Sequence, residues 1–182
     1  MPVVDYSGPF DPHFTHDRLP KETLVELLRF YAEYMRRIDG LWYVTVKEKW
    51  GNAEAIKTDL KAWEKIKRYE LKVFSELMNL HGSDVATIMK YLQVCPWVWA
   101  YDHKIEMRDE NFGVFTKYDC PTLYAMEKEG SGREKHQCRE VCPKGLQFMT
   151  DYFNPRIKVL PLKVPPRTDY RDMCCQWGFR LE

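Results

Sequence analysis

The sequence lacks a surplus of charge of either sign: Lys and Arg number 28, Asp and Glu 27, for a net charge of +1 in 182 residues. A chain so balanced carries no field able to gather a polyphosphate backbone or an anionic bilayer, so neither nucleic acid nor a membrane surface is expected as a partner. It also lacks a long apolar run. The longest stretch without a charge, around Tyr91–Tyr101, is interrupted by Gln93 and Pro96 and falls far short of the ~20 residues of a membrane-spanning helix. Asp5, Pro9, Asp11, Pro12, His13 and Asp17 stand where a secretion signal would be basic and then apolar, so a cytoplasmic protein is expected. There is no Gly-rich phosphate loop, no helical pair of metal-binding histidines and no serine elbow, and no internal repeat or low-complexity tract.

Cysteine, by contrast, is present six times and unevenly. Cys95 stands alone near the middle, no cysteine precedes it, and Cys120, Cys138, Cys142, Cys174 and Cys175 crowd the chain from residue 120 onward. In a reducing compartment these read as free thiols, metal ligands or a catalytic thiol rather than as structural disulfides.

Periodicity divides the chain into an arm over residues 1–18 and one domain over 19–182. From Pro20, apolar residues at Leu24, Leu27, Leu28, Tyr31, Met35 and Ile38 predict an amphipathic helix, which Asp39-Gly40 is expected to close. Leu41–Trp50 reads as a short second helix. A long one follows from about Ala53 to Leu80, with Ile56, Leu60, Trp63, Glu70 and Phe74 down one side and Gly82 at its end. Ser83-Asp84 caps a fourth helix that Pro96 stops.

Beyond Pro96 the period changes. His103–Arg108 alternates, Asp109-Glu110-Asn111 turns, and Phe112–Tyr118 returns as the second arm of a hairpin. Helices are predicted at Pro121–Glu129 and near Pro143–Phe153, then strands at Ile157–Val164 and through Cys175, Trp177, Phe179 and Leu181, with Pro161 marking an edge or a bulge. The expected fold is α+β: N-terminal helices packed on a roughly four-stranded antiparallel sheet made of two hairpins.

Three chemical uses suggest themselves for the cysteines. Cys120, Cys138, Cys142 and Cys175 supply four thiolates able to hold Zn²⁺ tetrahedrally, although only Cys138-x-x-x-Cys142 has the spacing of a chelating pair. Alternatively Cys120, at a helix start, is a candidate nucleophile, with His103 or His136 as its base. The blandest use is as small buried hydrophobes. Trp42, Trp63, Trp97, Trp99 and Trp177 either fill the core or wall a flat aromatic pocket. Glu70 lies on the same stripe as Trp63 and as a buried carboxylate would need a partner; the basic run Lys61–Lys72 around it reads as a solvated face. A cavity bordered by Trp42, Trp63, Glu70, His103 and Tyr118 is therefore the expected ligand site, and no partner other than a small molecule or a second copy in a homodimer is suggested.

The helical half, with Asp39-Gly40-Leu41-Trp42, Glu48, Gly51, Ala55 and Trp63, resembles the aminothiazoline-carboxylate hydrolase-like proteins and a closely similar uncharacterised bacterial and archaeal family. The second half adds Tyr118-Asp119-Cys120-Pro121, Cys138, Asn154-Pro155-Arg156-Ile157-Lys158, Pro165-Pro166 and Cys175-Gln176-Trp177-Gly178-Phe179. More distantly, the closing strand–loop–strand is similar to vinyl-reductase-type domains, which bind small aromatics and hold zinc through cysteines. The resemblance implies that Cys120, Cys138 and Cys175 share a site. It further implies either hydrolytic opening of a C–N bond in a small heterocycle or a non-enzymatic ligand-binding or sensor module; for the hydrolase, the candidate catalytic groups are a zinc-bound water or the Cys120 thiolate, with Glu70 or His103 moving protons. Cysteines expected in the third strand are replaced here by residues such as Pro161 and Val164, while Cys142 and Cys174 are additional.

Overall fold

The computed structural model describes residues 4–182; the first three residues of the expected arm lie outside it. Five α-helices and four strands follow one another as α1 (Lys21–Trp50), α2 (Asn52–Leu77), α3 (Val85–Val94), β1 (His103–Asp109), β2 (Phe112–Lys117), α4 (Pro121–Glu129), α5 (Glu134–Phe153), β3 (Ile157–Lys163) and β4 (Cys175–Leu181). The strands form one antiparallel sheet in the order β1-β2-β4-β3, so the two expected hairpins join through β2 and β4. This is the α+β arrangement anticipated from the sequence.

Three boundaries differ from expectation. Asp39-Gly40 does not close a helix: α1 runs through both. A glycine costs a helix interior only about 1 kcal/mol relative to alanine, and the Asp39 carboxylate is engaged by Trp63 Nε1 of α2 at 3.0 Å. The real break is Gly51, whose φ of 87° lets α2 fold back beside α1 as an antiparallel pair. At its far end α2 stops at Leu77, and Asn79, at φ 52°, makes the turn assigned to Gly82. The largest difference is α5, which begins at Glu134 and carries Pro143 in its interior. The proline deletes one backbone bond, to the carbonyl of Arg139, and flanking turns buried through Cys138, Leu146 and Met149 hold the helix on both sides.

The remaining signals were local and held. Asp84 accepts from the Thr87 N–H at 2.8 Å as the N-cap of α3, and Pro96 ends that helix. Pro161 lies on the edge strand β3 beside a register shift, which satisfies both of its expected placements.

Direct register partners share a face of an antiparallel sheet. Ile105, Phe115 and Trp177 are thus in one row, and Gly113, Phe179 and Val159 in the next. This face meets α3 and α5, and its core holds Val85, Ile88, Leu92, Met149, Phe115 and Trp177. Gly113 lets α3 lie close there: a Cβ would stand 2.6 Å from Met89 Sδ of α3 and displace that side chain. The following row, His103, Lys117 and Cys175, continues the same face beyond the apolar core. Alternation therefore delivers a lysine and a thiol to the interior.

Candidate functional site

Lys117 ends β2 on that inner face. Its ammonium lies 4.0 Å from the ring centroid of Tyr101, 5.4 Å from Trp97 and 5.7 Å from Phe115, and among the described residues no carboxylate pairs with it. Burial works against the charge, but Tyr101 and the thiols of Cys120, Cys175 and Cys142 surround the ammonium and hold it protonated well above the ordinary lysine range.

Those thiols come from three elements. Cys175 is the register partner of Lys117 on β4, with Trp177 Nε1 donating to its Sγ at 3.3 Å. Cys120 occupies the N-cap position of α4. Cys138 and Cys142 lie one turn apart on α5, and their thiols face each other. The thiol of Cys142 is lowered to about 7, by the Cys138 thiol donating to it and then by Lys117, against the effect of burial. Cys138 is raised correspondingly. Cys120 and Cys175 are pushed up, first by burial, Cys175 to about 11. The helix start expected to activate Cys120 is thus outweighed by desolvation, and the ionisable thiol near neutrality is Cys142.

Helices α1 and α2 complete the surroundings. Burial, then the neighbouring Asp39 and then Cys142 raise the Asp59 carboxyl to about 7, despite a hydrogen bond with Trp63. Asp39 is also raised, by burial. Arg36 lies close enough to Tyr101 to favour its phenolate, and its Nε, like Trp97 Nε1, is buried without a hydrogen-bond partner. Cys142 has an exposed side chain although it sits among groups of α2, β2 and β4.

The expected site residues separate into groups. Cys120, Cys138, Cys142 and Cys175 come within electrostatic reach of one another. Among the described residues no three His, Cys, Asp or Glu side chains are placed to share a metal ion. Glu70 is buried, and its partner is the buried Lys67, whose Nζ lies 3.0 and 2.9 Å from the two carboxylate oxygens; the Tyr91 hydroxyl also donates to it. Lys67 is thus not part of a solvated face, because Glu70 and the rings of Trp97 and Trp63, 4.8 and 5.6 Å away, replace water around it. His103 Nδ1 donates to the Tyr101 carbonyl at 2.8 Å and its ring packs on Phe115. Trp42 and Tyr118 are exposed, Trp63 is half-buried and Trp177 is buried beneath Cys175.

Lys117, Asp59 and Arg36 escaped the sequence reading. Two of them had a signal: Lys117 stands two residues after the inward Phe115, and Asp59 stands four before Trp63 on the inward stripe of α2.

The fold and this site define an α+β protein with an interior lined by thiols and one lysine without a carboxylate partner. The chain belongs to the family of unknown function DUF6125, whose model matches residues 17–181. No curated protein matches it significantly. No solved structure does so either.

Proposed function

We propose that the protein binds a small, flat, anionic molecule in the space between α1, α2, α5 and the sheet, and that Cys142 is the thiol that acts on it. The observation that carries this reading is Lys117: an ammonium held inward on three aromatic faces without a carboxylate partner. Even a half-buried cation is costly unless something compensates it, and a ligand carboxylate would do so. Arg36 Nε and Trp97 Nε1 are two further donors lacking acceptors, and the rings around Lys117 suit a planar body.

The likeness to aminothiazoline-carboxylate hydrolase-like proteins favours C–N bond opening. The Cys142 thiolate would add to the electrophilic carbon of a ring C=N group, forming a C–S bond and moving the π pair to nitrogen. That nitrogen would take a proton from the Asp39–Asp59 pair. Protonated a second time, that nitrogen would leave as the lone pair of a neighbouring heteroatom re-forms a double bond at the carbon, which breaks the ring C–N bond; water would then add to this trigonal, sulfur-bound carbon, give up its proton, and displace the thiolate. Glu70 is held by Lys67 and Tyr91, and His103 by a backbone carbonyl, so neither is assigned a proton transfer. A sensor reading, with binding and no turnover, draws on the same site.

Calorimetric titration with a panel of small heterocyclic carboxylates tests the binding. Lys117→Met should weaken any ligand found by about ten- to a hundredfold, the worth of a charge-assisted bond. Equal affinity in wild type and variant would refute the assignment. Product formation that Cys142→Ser abolishes supports the hydrolase; binding without product supports the sensor.

A further inference from the structure

Helix α1 has three sides rather than two. Ala32, Tyr43 and Val46 face inward, and Asp39 on this side meets α2. A polar side carries Glu26, Arg29, Glu33 and Arg37, paired among themselves, with Arg37 donating to Glu33 at 2.6 Å. The third side is apolar. Leu24, Leu27, Tyr31, Tyr34, Ile38 and Leu41 follow one another at alternating steps of three and four residues. The last four of them are exposed, from 51% at Ile38 to 70% at Leu41.

We propose that this stripe is the interface through which two copies of the chain dimerise, α1 against α1. Steps of three and four give the 3.5-residue period that keeps an apolar seam facing a partner helix over several turns. A stripe that merely filled out the domain's own surface would have no reason to keep that period on its exposed side. A whole aromatic side chain presents ~150–250 Å². The half-exposed seam, with the exposed Leu28 and Trp42 beside it, therefore offers on the order of 700 Å² per copy. Stable interfaces bury about 800 Å² per partner, so this side alone comes close. The occupant is a second copy because the seam is self-complementary, each ridge meeting the groove of an identical helix about a two-fold axis. The self-paired charges on the polar side leave no excess of one sign to select a different, oppositely charged partner, and a net charge of +1 brings no repulsion between copies.

Sedimentation of the full chain over a range of concentrations tests this. The expected mass is twice the 21.8 kDa of one chain, falling to 21.8 kDa for Ile38→Glu with its helical circular dichroism preserved. Leu41→Gln, milder and at the most exposed seam position, should raise the dimer dissociation constant at least tenfold and serves if the glutamate variant misfolds. Leu162→Glu, an exposed apolar residue on the edge strand, should leave the dimer intact. A wild-type monomer at every concentration, including one that binds lipid vesicles instead, would overturn the proposal, as would a dimer indifferent to both seam variants.

Discussion

Lys67 of α2 and Lys117 of β2 share one indole: their ammonium nitrogens lie 4.8 and 5.4 Å from the ring centroid of Trp97. Two cations are brought to one ring, and only one of them has a carboxylate. Lys67 is neutralised by Glu70, three residues along the same helix, whereas Lys117 is met by aromatic faces and thiols. The first arrangement is closed and structural. The second is open, and this difference is why the proposed ligand is assigned to Lys117 rather than to Glu70.

Glu70→Gln removes the carboxylate charge at nearly constant volume and leaves Lys67 buried without its counter-ion. A loss on the order of 3 kcal/mol is expected in urea unfolding, as for other broken buried pairs. The double variant Lys67→Met/Glu70→Gln should recover much of it. A neutral single substitution would show that the pair is solvated in solution.

Asp59 gives a pH signature. Its folded-state pKa of about 7 lies above the ordinary 3.8, so the folded protein holds a proton that the unfolded chain has released. The group's contribution to stability is therefore present below about pH 4 and is lost as pH rises through about 7. Asp59→Asn cannot ionise, so its melting temperature should gain on that of wild type between those limits. A difference that stays constant with pH would place Asp59 in ordinary contact with water.

What could be read in advance was local. The alternation of Ile105 and Met107 with charged neighbours, and of Cys175, Trp177 and Phe179 with Gln176 and Arg180, identified strands with one buried face. Asp84 and Pro96 bracketed α3 for reasons of capping and ring geometry. Pro143 and Gly40 misled because their local cost, a bond or about 1 kcal/mol, is small beside the packing of a long helix that only tertiary structure reveals. Lys67 was hidden among basic neighbours, and its burial depends on Tyr91 and Trp97, distant in sequence. The meeting of Lys117 with Cys175 depends on β2 pairing with β4 across nearly sixty residues, a contact that no short-range pattern encodes.

The central claim, that Lys117 draws small anions to a reactive Cys142, is tested most directly by comparing two alkylating reagents of nearly equal size. Iodoacetate is anionic and iodoacetamide neutral, and mass spectrometry of the peptide containing Cys142 reports the rate of each at pH 7. The account predicts that, relative to a free thiol in solution, Cys142 favours iodoacetate over iodoacetamide, and that Lys117→Met abolishes this preference and slows both reactions by making the thiolate scarcer. An iodoacetate preference no greater than that of a free thiol, unchanged by the substitution, would contradict it.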